Sequence, residues 1–162
     1  MAGGENPSDS SVQRGLEPTI RAMFAANHSV TVAPARLRLG DGVAVDVDIV
    51  DADRTVLGEI YAHAGQLVSG HRKKVANDAL KLITVGRQFP KARLYLVLID
   101  SVAEASARTG WLGFALAEWG IRIETVELAP EELSVLRAAQ LGQGLAVGGR
   151  QRAVDGELSH EA

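Results

Sequence analysis

The chain predicts an α/β domain in three layers, with helices on both faces of a mixed sheet, and three observations carry that reading. Two neighbouring segments, 43–50 and 55–63, alternate with period two across a short polar turn, as an antiparallel hairpin does. The run from Leu94 to Ile99, LYLVLI, is apolar throughout, the pattern of a central strand covered on both sides. Segments with helical spacing precede, separate and follow these strands, so the order reads α-β-β-β-α-β and then α-β-α.

Taken in order, residues 1–13 are rich in Gly, Ser and Asn and predict a disordered N-terminal tail. Leu16, Ile20, Met23 and Phe24 then fall at helical spacing. Proline suits a first turn, so Pro18 sets this helix from near Glu17 to Asn27. Residues 35–39 form a strand, with Leu37 and Leu39 on one side and Arg36 and Arg38 on the other. Gly40-Asp41-Gly42 turns it into the hairpin. After a loop at 65–70, a helix is expected over 71–89, burying Val75, Ala79, Leu82 and Ile83 and aligning Lys74, Asp78 and Lys81 as one polar stripe. The strand at 93–100 follows, then a helix from Ser101 or Ser106 to Gly120. Its Trp111 and Trp119 lie eight residues apart, near one side, and suit a core or subunit contact better than base stacking. A strand at 121–128 and a helix at 130–141, opened by Pro130, Glu131 and Glu132, complete a single folded domain over 14–142. The Gly-rich stretch 143–162 predicts a C-terminal tail.

The 162-residue chain has no cysteine, which excludes disulfides and thiolate metal sites. No apolar run reaches the roughly 20 residues of a membrane helix, and the N-terminus lacks the features of a signal peptide, so the cytoplasm is the expected compartment. Between residues 14 and 141 acidic and basic residues balance, but they are segregated. Acid is concentrated in 41–59, and Arg72, Lys73, Lys74, Lys81, Arg87, Lys91 and Arg93 follow it. Acid flanked by base suits a metal site on a phosphate-binding surface. No glycine-rich phosphate loop and no Ser/His/Asp spacing is present.

If Val50 pairs with Thr55 across the turn 51–54, Asp46 stands directly opposite Glu59, with Asp48 beside Leu57 and Tyr61 beside Ala44. Directly opposed side chains have Cβ atoms about 4.5–5.5 Å apart, and like charges there destabilise a sheet. A divalent cation between them is the usual remedy. The competing reading is a merely solvated strand face.

An Asp in the second strand and a Glu in the third, within this order of elements, resembles the PD-(D/E)XK nuclease superfamily, the restriction-endonuclease-like fold. The resemblance covers about residues 14–100. It implies hydrolysis of phosphodiester bonds in DNA, with RNA not distinguished, and a Mg²⁺ or Mn²⁺ ion. Asp46 (or Asp48), Glu59 and the Ile60 carbonyl would hold that ion, assisted by Glu17. The family's E-x-K lysine is replaced by Tyr61, and because some members supply it from the next helix, Lys74 and Lys81 are the candidates. Arg72 and Lys73 would contact the phosphate backbone, and His63 would ligate metal or hydrogen-bond a phosphate, while His28 and His71 read as surface residues. The Tyr61 departure also admits a second reading: a member that has lost catalysis and binds nucleic acid or assembles with protein, a homodimer included.

Overall fold

The chain's most apolar segment, 94–99, lies inside its sheet with a strand on either side, as its composition requires. The computed structural model describes residues 9–141, and the expected tail at 143–162 lies outside them. The elements are α1 (Asp9–His28), β1 (Val32–Gly40), β2 (Val43–Asp51), β3 (Val56–Tyr61), α2 (Ser69–Gly86), β4 (Arg93–Leu98), α3 (Ser101–Ala107), α4 (Gly110–Glu118) and β5 (Ile121–Thr125). A last helix, α5, spans 130–141. The strands lie in the order β1-β2-β3-β4-β5. β1, β2 and β3 are antiparallel neighbours, and β3, β4 and β5 run parallel. The sheet is therefore mixed, in the expected order α-β-β-β-α-β.

Alternation along β4 divides the core into two layers. Tyr95 and Val97 join Ile20 and Phe24 of α1 and Leu136 of α5 on one face. Leu96 and Leu98 join Val75 and Ala79 of α2, Ala103 of α3, and Leu112 and Leu116 of α4 on the other. A third cluster, Leu37, Val47, Val50 and Leu57 against Leu82 and Val85, carries α2 across the hairpin.

Several boundaries differ from expectation: β1 starts at Val32 instead of 35, α2 spans Ser69–Gly86 instead of 71–89, and three others follow. Helix α1 starts at Asp9 rather than near Glu17 and runs through Pro18, so it takes in part of the expected tail. Val12 and Leu16 extend the stripe of Ile20 and Phe24 at four-residue spacing and pack on the same core. Their burial offsets the roughly 3 kcal/mol of an interior proline. The expected single helix 101–120 is broken at Arg108-Thr109, where Gly110 takes a left-handed φ of 65°. The Arg72 guanidinium binds the Ser106 and Thr109 carbonyls at 2.7 and 2.8 Å, drawing off acceptors that a continuous helix would use. β5 ends at Thr125, three residues early, although Val126 and Leu128 remain buried.

The hairpin register also differs. β2 and β3 pair at Ile49–Gly58 and Val50–Leu57, two residues away from the expected Val50–Thr55. The Asp51 carboxylate accepts hydrogen bonds from the Thr55 and Val56 amides at 2.7 and 2.8 Å and from the Thr55 hydroxyl at 2.7 Å. Those amides are thus satisfied by a side chain instead of by β2, and Arg54 closes the turn with φ at 55°. Asp51→Ala is expected to cost about 2 kcal/mol, the upper range for a lost cap with charged hydrogen bonds. For a domain of this size that lowers the melting midpoint by about 4–8 °C. An unchanged midpoint in a thermal melt would mean that this turn does not hold the register.

Candidate functional site

The site lies in the fork where β2 leaves β3. Against β1, β2 carries one extra residue between Val47 and Val50, opposite Ala33 and Ala35. Such a bulge re-aims the side chains beyond it. Val47 therefore turns into the cluster under α2 together with Val50. Asp46 is sent to the other face, where it pairs with Arg36 of β1 at 3.1 Å and its side chain is 75% exposed. The expected opposition of Asp46 and Glu59 is therefore not formed. Continued along β2 and β3, the observed register sets Asp48 opposite Glu59 instead. Asp48 bridges the fork itself: its Oδ2 accepts the Ile60 amide at 2.9 Å, in place of a ladder bond. Its own carbonyl accepts from Arg21 Nε of α1 at 2.7 Å, which ties the bulge to that helix.

Leu57, Glu59 and Tyr61 alternate onto the face under α2, and α2 offers each a different partner. Leu57 packs on Leu82 and Val85. Glu59, only 3% exposed, meets Lys81, whose Nζ lies 2.6 Å from Oε2 and also donates to the Asp46 carbonyl at 2.9 Å. Tyr61 is buried with Val75, and the Lys74 ammonium stands 5.4 Å from its ring centroid. Asp78, also buried, holds Lys74 at 2.9 Å.

Glu59 is the atypical group. Of the buried carboxylates, Asp100 caps α3 and binds Arg137, and Asp78 binds Lys74. Glu59 has Lys81 on one oxygen, but its Oε1 is buried with no hydrogen-bond partner. Burial, then the negative charge of Asp48, pushes its pKa up to about 8, against the pull of Lys81. Glu17 of α1 is also raised, by burial and then by Asp48, while Arg21, Arg14 and Lys74 oppose the shift. Three carboxylates from three elements, Glu17, Asp48 and Glu59, are thus coupled within one field.

The remaining candidates go elsewhere. His63 is packed among Tyr61, His71 and Gln140, with the Gln140 amide against its Nδ1. Burial, then the neighbouring His71, lowers its pKa to about 4, so it is neutral at physiological pH. His71 is not an ordinary surface residue, since its ring lies tilted against that of His63 with centroids 3.8 Å apart and its Nδ1 is buried without a partner. His28 likewise packs on Phe24 and pairs with Glu124. Arg72 is turned inward onto α3, whereas Lys73 is exposed. Arg21 and Asp78 were not among the expected site residues. The i,i+4 spacing of Lys74 and Asp78 was the available signal for the second, and nothing local marks the first.

Among the described residues no three His, Asp or Glu side chains converge as a metal cage. Mg²⁺ does not require one, because it keeps several waters and takes one or two protein carboxylates. Asp48 and Glu59 fit that need, and the partnerless Oε1 of Glu59 is the oxygen with most to gain from a cation.

The chain matches no family model and no curated protein. A crystal structure of a repair endonuclease from Pyrococcus abyssi aligns over 78% of this chain and 50% of that one, at 14% identity and a TM-score of 0.36. The chain therefore spans about half the length of that enzyme.

The buried Glu59 generates a pH dependence with a definite sign. Its folded pKa of about 8 lies above the ordinary 4.5, so folding favours its protonated form. Its contribution to stability is complete below pH 4.5 and is lost as pH rises through about 8. In metal-free buffer, Glu59→Gln should gain on the parent across that window, by at most about 1.4 kcal/mol per pH unit. Urea titrations at the two ends of the window measure it. A difference independent of pH would show that ionisation of Glu59 costs the fold nothing.

Proposed function

We propose that the chain is a metal-dependent nuclease hydrolysing phosphodiester bonds in DNA, with Asp48 and Glu59 as the carboxylates for the ion and Lys81 as the cation at the reacting phosphate. The observation that carries this reading is Glu59: a carboxylate buried in a strand, beside a second carboxylate, with one oxygen left without a partner. A fold bears such a cost where a cation or a reaction uses it. A bound Mg²⁺ or Mn²⁺ would lower the pKa of a water and polarise the scissile phosphate.

The chain's own groups divide the remaining work. Lys81, fixed by Glu59 and the Asp46 carbonyl, supplies positive charge where the phosphate accumulates negative charge, the task of the lysine absent at position 61. Lys74 is more exposed and is steadied by Asp78 and the Tyr61 ring, which suits it to a neighbouring phosphate of the strand. Tyr61 then serves as its platform. Arg21 holds the bulge that presents Asp48, and Glu17 adds negative charge beside it. The 2.6 Å pair of Lys81 with Glu59 equally suits a binding module without catalysis, because it gives Lys81 a partner inside the fold.

Cleavage of plasmid DNA with Mg²⁺ or Mn²⁺ separates the two. Asp48→Asn, Glu59→Gln and Lys81→Ala should each lower the rate about 10²–10³-fold, as loss of a preorganised electrostatic group does. Asp46→Asn should leave it nearly unchanged, because Asp46 is engaged with Arg36. Lys74→Ala should raise KM with little change in kcat and reduce the salt slope of DNA binding by about 1. DNA binding without cleavage under all these conditions would establish the non-catalytic module.

Metal binding has its own readout. At 100 times Kd an ion stabilises the native state by about 2.7 kcal/mol, a rise in Tm of about 5–11 °C. Ca²⁺ should stabilise as well, since it accepts oxygen ligands. If Glu59→Gln shows the same rise as the parent, the ion is held elsewhere.

A further inference from the structure

We infer that the outer face of α4 is the interface of a homodimer, two copies meeting antiparallel about Ala115. Inward, Leu112 and Leu116 are buried against the sheet. Outward, Trp111, Phe114 and Trp119 are 69%, 72% and 58% exposed, which leaves both tryptophans of the chain in solvent. Trp111 and the half-buried Ala115 in the helix and Trp119 at its C-cap fall at i, i+4 and i+8, one stripe, with Phe114 beside it.

The chemistry of the face selects its occupant. The segment 110–120, GWLGFALAEWG, contains no Lys or Arg and a single carboxylate, Glu118. It cannot bind a phosphate backbone by charge, and it lacks the basic residues that hold a helix on an anionic membrane. A second copy of α4 matches it. Trp111 and Trp119 are equally distant from Ala115, so a two-fold axis there brings Trp111 of each copy against the partner subunit's Trp119. Alanine at the axis lets the two helices approach to the close end of the usual 8–10 Å.

Area supports the same occupant. Aromatic side chains bury roughly 150–250 Å² each, so three exposed to these extents offer roughly 300–500 Å² per copy. Pairing covers roughly twice that before the flanking backbone and Ala115 are included, which approaches the roughly 1,000–1,200 Å² where specific interfaces begin. This inference is independent of the nuclease reading.

Sedimentation of the full chain from about 1 to about 100 µM, the affinity range of a small interface, should show a dimer of the 17.1 kDa chain that dissociates on dilution. Trp111→Glu and Trp119→Glu should each weaken it about 30-fold or more, as loss of an interface hot spot does. Their circular dichroism should be unchanged, because both side chains are exposed. The chain has no cysteine, so Ala115→Cys introduces one thiol at the axis and should give a cross-linked dimer on mild oxidation. Glu131→Cys, on α5, should not. A monomer at every concentration, or a dimer indifferent to both glutamate variants, overturns the interface and leaves the face to a different protein. Cross-linking no faster at Ala115→Cys than at Glu131→Cys overturns the two-fold arrangement.

Discussion

Taking a carboxylate out of water inside a sheet is the constraint on which the rest of this structure depends. Isolated, an ionised Glu59 would cost several kcal/mol. The fold lowers that cost with Lys81, and it raises the cost again by placing Asp48 and Asp78 near enough to push the proton affinity of Glu59 upward. A protein selected only for stability would replace this arrangement with apolar side chains of similar volume, a change often neutral or favourable. The placing of Glu59 amid Leu57, Tyr61 and the aliphatic underside of α2 is the observation on which the proposed function rests.

The fork itself is a product of competing pairings. β2 is shared between β1 and β3, and the extra residue between Val47 and Val50 lets it follow one at the expense of the other. The bulge separates two aspartates that alternation would place on one side. Asp46 becomes an exposed partner of Arg36, while Asp48 stays at the opening and takes the Ile60 amide. Bulges recur beside active sites because they re-aim a side chain without ending a strand. Here the re-aimed residue is Asp46, and Asp48 is left at the opening.

Helix α2 does two kinds of work on one face. Leu82 and Val85 anchor it to the hairpin and Val75 and Ala79 to β4 and its neighbours, while Lys74, Asp78 and Lys81 lie between these anchors. Arg72 fastens its first turn to the carbonyls at the end of α3 and the start of α4. The lysines are therefore carried on a rigid element pinned at both ends, which is what a positioned cation requires.

Much of this was legible in the sequence, because it rests on local pattern. The order of elements follows from periodicity, the interior place of β4 from a run apolar on both faces, and Lys74, Asp78 and Lys81 share a stripe because a helix repeats every 3.6 residues. Glu59 was singled out by its expected opposition to Asp46, a pairing the structure does not form. The hairpin register was not legible, for a definite reason. Sliding one strand by two residues returns every side chain to the same face, so alternation cannot tell Val50–Thr55 from Val50–Leu57. What decided between them was the Asp51 carboxylate capturing two amides at the turn. The bulge that exchanged Asp46 for Asp48 depends on pairing with β1, and the inward turn of Arg72 on carbonyls 34 and 37 residues away. Composition and spacing determined which groups this protein has to work with. Hydrogen bonds and pairings made only in the folded chain decided which of them meet.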